Sequence, residues 1–245
     1  MLNPPIIHLQ KTDSTNRYLQ LASEAEDMPS GSVVTADEQT SGRGQRGTSW
    51  ESEAGLNLTF SILYLPSGLP ANKPFAISEM ISLCVKRTLD SYLPDISIKW
   101  PNDIYYKDRK IAGILIENVI MQGQITKSII GVGLNVNQTV FYGDAPNPVS
   151  MRQVTGRFYD TDEILSRLMQ EFAHQSARLD GFCYEAIHSD YFDLIYRKEG
   201  FHKYVDAQGE FLAAISAIEP SGHLILRRTD GNLSRYGFKE LGIRN

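Results

Sequence analysis

A loop rich in glycine and arginine is the first part of the sequence whose residue types suggest chemistry. Hydrophobic periodicity is lost between Asp37 and Ser49, and this loop contains the run Gly42-Arg43-Gly44-Gln45-Arg46-Gly47. Glycines let backbone N–H groups approach an anion closely, and the fixed forks of arginine fit phosphate or carboxylate oxygens. A flexible solvated loop is the alternative, but the nearby Trp50 could stack on a base or cover a ligand, which favours a function.

The same loop has the spacing G-x-G-x-x-G of dinucleotide-binding folds, but its surroundings exclude that fold. There a helix opens directly behind the glycines and an acidic residue follows about 20 positions later. Here Trp50 and a strand follow, and no carboxylate lies near Ser67. The His-Arg-Asp and Asp-Phe-Gly motifs of protein kinases are also absent from the sequence. The loop therefore predicts anion binding without a dinucleotide fold.

A second candidate segment joins the end of a predicted strand to a hairpin. Its two parts are Lys99-Trp100-Pro101-Asn102-Asp103 and Lys110-Ile111-Ala112-Gly113. Pro101 removes a ladder donor and helps to end the strand, so an amide and a carboxylate would lie just past the sheet edge. The lysine of the hairpin would return to the same cleft. An Asn-Asp turn with a surface lysine explains the pattern equally well.

The third candidate is the strand segment Gly131-Val132-Gly133-Leu134-Asn135-Val136-Asn137. Glycines inside a strand indicate close approach by another group, and Asn135 offers a donor and an acceptor to an adenine edge. Tight packing on a helix is the alternative. The fourth candidate, Asp13-Ser14-Thr15-Asn16, opens a predicted helix, and capping alone is the stronger interpretation.

Histidine and cysteine chemistry has no support in the sequence. The five histidines lack metal-ligand spacing, and no Ser/His/Asp or Cys/His set is organised along the chain. Hydrolase chemistry and a histidine metal site are therefore not predicted.

The elements that must position these segments are strands and amphipathic helices. Strands are predicted at 6–9, 32–36, 56–64, 96–100, 104–106, 111–119, 125–136, 211–218, 224–227 and 233–238. Helices are predicted at 15–25, 74–93, 160–179 and 184–197. This order predicts an α+β fold, a mixed β-sheet backed by helices over residues 1–199, followed by a small C-terminal β-barrel over residues 200–245.

Composition excludes several classes of protein. The 24 Lys+Arg and 29 Asp+Glu among 245 residues give a net charge of −5, which gives no whole-chain attraction to nucleic acid or an anionic membrane. A hydrophobic content of 42% excludes global disorder. Cys84 and Cys183 form no disulfide framework, and neither a secretory signal nor a membrane-spanning run is visible. We therefore expect a cytoplasmic globular protein without nucleic-acid or membrane partners.

Taken together and in this order, the four segments resemble the biotin protein ligases, the biotin–acetyl-CoA-carboxylase ligases. The pair Gly-Arg-Gly…Trp and Lys-Trp-Pro-Asn-Asp…Lys-x-Ala-Gly is highly specific, and the match extends over essentially the whole chain. The resemblance implies a class II aminoacyl-tRNA synthetase-like core with an SH3-like C-terminal barrel. It also implies that biotin and ATP, with Mg²⁺ on the nucleotide, form biotinyl-5′-AMP, and that biotin passes to one lysine of a biotin carboxyl carrier domain with release of AMP and pyrophosphate.

The resemblance also assigns roles to residues. Ser14, Thr15, Asn16 and Gln39 match biotin contacts. Arg43 and Gly44 lie on the loop that closes over biotin and its adenylate, Lys110 matches the lysine near the activated carboxyl and the α-phosphate, and Trp50 and Asn135 match positions beside the adenine. The implied ligand-binding set is completed by Gly42, Gln45, Arg46, Asn102, Gly113 and Gly133. The implied catalytic residues are Arg43, Lys110 and Asp103, and no metal ligand is assigned beyond a possible role for Asp103.

Two positions depart from the family pattern. Many members have arginine where Gln45 stands, and often also where Thr48 stands. Arginine there would help to retain the reactive adenylate, and Arg43 and Arg46 could compensate. Bifunctional members carry a DNA-binding winged helix ahead of this core, whereas here the core begins at once. We therefore expect a monofunctional enzyme without a repressor role, a monomer or a weak homodimer.

Two other functions compete with biotin ligation. A lipoate–protein ligase would share the fold and the reaction logic, but its dithiolane ring needs an apolar pocket where biotin's ureido ring needs paired donors and acceptors. A non-catalytic biotin sensor would need no phosphate contacts. Arg43, Lys110 and Asn135 together argue against the sensor.

Overall fold

The computed structural model describes residues 4–143 and 147–243, without the side chains of Arg46 and Ile243. The strands are β1 (Ile6–Thr12), β2 (Val33–Gln39), β3 (Leu58–Tyr64), β4 (Leu69–Pro70), β5 (Ile96–Lys99), β6 (Asp103–Tyr106), β7 (Arg109–Met121), β8 (Gln124–Leu134), β9 (His202–Asp206), β10 (Gly209–Ile218), β11 (Leu224–Arg228), β12 (Leu233–Tyr236) and β13 (Gly242–Ile243). The helices are α1 (Thr15–Ala25), α2 (Phe75–Asp90), α3 (Met151–Thr155), α4 (Thr161–Asp180) and α5 (Tyr184–Asp193), and Gln45–Gly47 forms a 3-10 turn.

The larger sheet is mixed, as predicted. Its strands follow the order β1-β2-β3-β8-β7-β6-β5, with β4 paired to β8. Only the pair β1–β2 is parallel among the described strand pairs of this sheet. The sequence prediction of an α+β fold with a mixed sheet backed by helices is therefore confirmed.

The period-two pattern of β3 separates two environments. Leu58, Phe60 and Ile62 belong to the main core, which also contains the inner face of α2. Leu63, from the opposite face, packs beneath α1 with Leu19. Because alternate residues of a strand point to opposite faces, the polar residues of β3 lie on the α1 side, where the candidate site is found.

The C-terminal residues form a second, antiparallel sheet in the order β12-β11-β10-β9-β13. No pairing joins β12 to β13 in the described part of the chain, so this sheet is open and the closed SH3-like barrel that we expected is not confirmed. The sheet contacts the larger one through the indole N–H of Trp100, which donates to the carbonyl of Gly222 at 2.9 Å. Phe238 packs against the rings of Trp100 and Phe75.

Some boundaries differ from the sequence prediction. Helix α5 ends at Asp193 instead of Arg197, because the following residues pair with β5: Ile98 N donates to Leu194 O at 3.0 Å, and Tyr196 N donates to Ile98 O at 2.7 Å. The short elements α3 and β9 were not predicted. None of the described helices is both long and apolar enough to span a bilayer.

Candidate active site

A cavity of about 190 Å³ lies where the glycine–arginine loop covers β3, β7 and β8. It brings together segments that are far apart in the sequence. The predicted site residues that line it are Ser14, Thr15, Asn16, Gln39, Arg43, Gly44, Gln45, Trp50, Asn102, Asp103, Lys110, Gly113 and Gly133. The helix start, the loop, the Trp-Pro-Asn-Asp turn and the hairpin lysine therefore face one common space.

Two predicted residues, Gly42 and Asn135, do not line this cavity. Gly42 lines the open groove on the outer side of the loop, and its carbonyl accepts the N–H of Trp50 at 2.9 Å. Asn135 is buried; its Nδ2 donates to Val149 O at 3.2 Å, and its Oδ1 has no hydrogen-bond partner among the described residues. The side chain of Arg46 lies outside the description, so its predicted role is untested.

The polar floor of the cavity begins at the N-terminus of α1. Ser14 is the N-cap residue of α1 by its extended backbone, yet its side chain makes no capping hydrogen bond. It is buried and lines the cavity instead. The backbone N–H of Ser14 donates to the carboxylate of Asp13 at 2.7 Å, and this hydrogen bond lowers the pKa of Asp13. Helix capping by Ser14 alone, the stronger interpretation from sequence, is therefore wrong.

Ser61 on β3 supports two floor residues without lining the cavity itself, and the sequence analysis missed it. Its Oγ lies 2.8 Å from Thr15 Oγ1 and 2.6 Å from Asn16 Oδ1, and the residue is fully buried. A signal was present, because Ser61 is a small hydroxyl residue within an otherwise apolar strand. The strand pattern could not reveal that its partners come from α1.

The hydroxyl protons of the floor can be assigned by counting. Thr15 and Ser61 carry one hydroxyl proton each, but Thr15 Oγ1 also lies 3.1 Å from Gln39 Oε1, which makes three short oxygen–oxygen contacts. The two amide oxygens only accept, and Gln39 Oε1 already receives the backbone N–H of Thr15 at 2.8 Å. The two shortest contacts are satisfied when Thr15 donates to Ser61 and Ser61 donates to Asn16.

Glycines on the central strands make room for two site residues. A Cβ placed on Gly133 would overlap the indole of Trp50, and one on Gly113 would lie 2.9 Å from the same ring. A Cβ on Gly131 would overlap the amide of Asn16. The prediction that strand glycines mark close approach is confirmed, and the groups that approach belong to the site. The indole Nε1 is buried without a hydrogen-bond partner among the described residues.

Lys110 and Asp103 form the charged centre of the cavity. Lys110 Nζ lies 2.6 Å from Asp103 Oδ1, and both side chains are about four-fifths buried, at 19% and 20% exposure. A β-bulge between Ile104 and Tyr105 pairs Tyr105 with Lys110 while Asp103 pairs with Gly113. Because opposite residues share a face, the bulge brings Lys110 to the face of Asp103.

The backbone around Lys110 is held from the other side as well. Its N–H donates to Asn147 O at 3.0 Å, and its carbonyl accepts from Val149 N at 2.9 Å. Beneath it, Lys99 donates to Tyr105 Oη at 2.7 Å, and burial lowers the pKa of Lys99. Hydrogen bonds thus hold the start of β7, which carries Lys110, and the end of β5, which carries Lys99.

Two contacts by side chains link the glycine–arginine loop to parts of the chain that are distant in sequence. Arg43 Nη2 lies 3.4 Å from Glu117 Oε2 on β7. Lys239, which lies after β12 and also lines the cavity, donates to Gln45 O at 2.8 Å. Neither partner of the loop was predicted from sequence, because both are more than 70 positions away along the chain.

The chemistry that this arrangement suits is the alignment of an anionic ligand that also carries a hydrogen-bonding head group. Within residues 4–143 and 147–243 no cluster of three His, Cys, Asp or Glu residues could hold a metal ion by itself. Lys110 provides positive charge beside Asp103, and Arg43 provides it beside Glu117 and Asn16. The amide and hydroxyl groups of the floor provide donors and acceptors in the same cavity.

Comparison with known proteins gives consistent results. The model of the biotin/lipoate A/B protein ligase family matches residues 9–135. The biotin–[acetyl-CoA-carboxylase] ligase of Paracoccus denitrificans is 32% identical over 232 residues, covering 91% of this chain and 94% of that protein. The bifunctional ligase/repressor BirA of Escherichia coli is 37% identical over 125 residues, but the alignment covers only 38% of its length. The chain thus spans less than half of the bifunctional relatives that it matches.

The fold has solved counterparts. A structure described as the biotin protein ligase from Aquifex aeolicus in complex with biotin and ATP superposes with a TM-score of 0.79 over 98% of both chains, at 23% identity. The biotin protein ligase from Leishmania major, in complex with biotin, superposes with a TM-score of 0.68 over 97% of this chain, at 19% identity. These likenesses establish the fold.

Proposed function

Since this chain belongs to the biotin/lipoate A/B protein ligase family, we propose that it is an ATP-dependent biotin ligase. It forms biotinyl-5′-AMP from biotin and ATP and then transfers biotin to a lysine of a biotin carboxyl carrier domain. The observation that carries the proposal is the single cavity in which a polar floor faces Lys110 and Arg43. Such a cavity fits an acid with a polar ureido head group better than an acid with an apolar head group.

Biotin enters with its ureido ring on the polar floor. The ring offers two N–H donors and a carbonyl acceptor, and Ser14, Thr15, Asn16 and Gln39 supply the complementary groups. Binding a carbonyl by Thr15 requires only a rotation of its hydroxyl away from Ser61, which lies 2.8 Å away. The carboxylate of biotin then points towards Lys110.

Adenylation needs positive charge and alignment more than a protein nucleophile. A carboxylate oxygen of biotin attacks the α-phosphorus of ATP, the bond from that phosphorus to the bridging oxygen breaks, and pyrophosphate leaves. Lys110 has three donors, of which Asp103 takes one. The others remain for the carboxylate and the α-phosphate, while Arg43 stabilises the phosphate charge.

The nucleotide base is proposed to lie against Trp50. The indole of Trp50 lines the cavity and its Nε1 has no hydrogen-bond partner among the described residues, which supports a base site at this end. We further propose that Mg²⁺ arrives with the nucleotide and that Asp103 is the carboxylate that would hold it. Because the reaction needs ATP, we also propose that it takes place in the cytoplasm.

In the transfer step the amine of the carrier lysine attacks the acyl carbon of the adenylate and AMP leaves. The amine must first lose a proton, and Asp103 can accept it. We propose that residues 1–199 form the catalytic domain and that residues 200–245 hold its loop in place, since Lys239 contacts Gln45 O.

Lipoate ligation is the second candidate, because the matching family model includes lipoate ligases. The polar groups of the floor favour biotin, since a dithiolane would leave Ser14, Thr15 and Asn16, which line the cavity, without ligand partners.

Incubation of the protein with ATP, Mg²⁺, biotin and a biotin carboxyl carrier domain tests the proposal. We expect labelled carrier with biotin and none with lipoate. Labelling by lipoate alone would refute biotin ligation, and formation of adenylate without transfer would indicate a sensor. Lys110→Ala and Arg43→Ala should slow pyrophosphate release, whereas His174→Ala, a helix-surface change, should not.

A further inference from the structure

Glu117 on β7 contacts two site residues through one carboxylate oxygen. Its Oε2 accepts from Asn16 Nδ2 at 2.8 Å and lies 3.4 Å from Arg43 Nη2. Glu117 does not line the main cavity; it lines the open groove on the outer side of the loop. It therefore acts on the ligand only through Asn16 and Arg43.

The hydrogen bonds of the floor converge on this carboxylate. With the proton assignment above, Thr15 donates to Ser61, Ser61 donates to Asn16, and Asn16 donates to Glu117. Arg43 approaches the same oxygen from the loop. One carboxylate thus ends the donor chain from the floor and holds the cation of the loop.

Arg43 cannot use the same N–H group for Glu117 and for a ligand phosphate. The Arg43–Glu117 pair is partly exposed, with 47% and 36% of the two side chains accessible. Ion pairs of this kind are weak and exchange readily for a stronger partner. A phosphate held inside the cavity, away from water, is such a partner.

We propose that Glu117 is a positioning residue that keeps the guanidinium of Arg43 paired until the phosphate of the adenylate takes the place of its carboxylate. This inference rests on the proposed function. Glu117 competes with the phosphate for Arg43 and so lowers adenylate affinity, while its bond to Asn16 keeps the floor in the geometry that receives the ureido ring. The residue therefore acts oppositely on the two ligands.

Glu117→Gln separates these effects, because an amide oxygen still accepts from Asn16 but no longer carries charge. Titration calorimetry would compare biotin with a non-hydrolysable biotinyl-adenylate analogue. We expect unchanged affinity for biotin and about two- to fivefold tighter binding of the analogue. Glu117→Ala should weaken biotin binding, since the amide N–H of Asn16 then loses the carboxylate oxygen that accepts from it. Glu163→Gln, which removes the same charge from an exposed arginine pair on α4, should change neither.

The Arg43→Ala background completes a double-mutant cycle. There Glu117→Gln should leave analogue binding unchanged. Unchanged or weaker analogue binding in the single variant, or an equal gain without Arg43, would overturn the role of Glu117 while leaving biotin ligation intact. A wild-type protein that binds neither ligand would instead refute the proposed function, and this inference with it.

Discussion

Replacing Gly133 with alanine should disturb the nucleotide end of the cavity and leave the floor intact. The new methyl group would fall within the indole of Trp50. The backbone at this position cannot yield, because Gly133 is paired with Thr59 on one side and with Gly113 on the other. The indole must therefore leave its seat on the two glycines.

The size of the effect follows from the overlap. Inserting a methyl group into a packed site costs about 1–3 kcal/mol. If the indole is displaced in the free protein and must be reseated by the nucleotide, this energy corresponds to about 5- to 150-fold weaker nucleotide binding. If the indole stays, the same energy appears as lost stability. Biotin affinity should change little, since its proposed contacts lie on the floor.

Titration calorimetry with a non-hydrolysable ATP analogue and with biotin, together with thermal unfolding, measures both outcomes. The control is the same change in a Trp50→Ala protein, where the methyl group meets no indole and Gly133→Ala should have no further effect. Normal nucleotide affinity combined with normal thermal stability in Gly133→Ala would refute the packing of Trp50 on Gly133.

Three further predictions concern the floor, the charged centre and a buried ion pair. Ser61→Ala removes the hydroxyl that holds Thr15 and Asn16 in place, and because a net hydrogen bond is worth about 1 kcal/mol it should weaken biotin binding about fivefold. Ser82→Ala, whose buried hydroxyl has no partner among the described residues, should leave biotin binding unchanged. Titration calorimetry with biotin measures both variants. Lys110→Ala should lower the rate of pyrophosphate release about 10²- to 10³-fold and also weaken biotin binding, since the ammonium group contacts the carboxylate; a normal rate would remove Lys110 from the mechanism. His188 Nδ1 donates to Glu79 Oε1 at 2.6 Å, and this hydrogen bond raises the pKa of His188, so the pair should stabilise the protein below about pH 6.5 and less as the pH rises through the raised pKa. Burial raises the pKa of Glu79, which also lowers the stability as the pH rises. Chemical unfolding of His188→Gln should show a stability that falls less as the pH rises above about 6.5.

Local patterns were enough to predict most of the larger sheet. The alternation in β3 and the helical spacing of Ile77, Ile81 and Leu89 in α2 reflect burial that the structure reproduces, since all three helix residues are fully buried. The five residues of α3 are too few to show a period, and its capping box at Ser150 was overlooked. The end of α5 was set too late because tertiary pairing with Ile98 overrides the local preference.

The candidate site was predicted in its residues but not in its connections. Spacing and residue type identified the loop, the turn and the hairpin lysine, all of which reach the cavity. Ser61, Glu117 and Lys239 were missed, since each acts through contacts with residues distant in sequence. No local pattern carries information about such contacts. The open C-terminal sheet was likewise beyond reach, because strand spacing does not reveal whether the outer strands meet.

The bulge in the hairpin has a consequence for anyone who would redesign or transplant this protein. A ladder repaired to uniform pairing from Asp103 to Gly113 would look like an improvement by every criterion of sheet regularity, yet it would turn the ammonium group of Lys110 to the reverse side of the sheet. The position of Lys110 on the cavity side depends on this irregularity, and the backbone groups of Asn147 and Val149 hydrogen-bond to Lys110 from outside the hairpin. A graft that copied the lysine motif without that external support would contain the same residues, but the lysine side chain would point to the wrong side of the sheet.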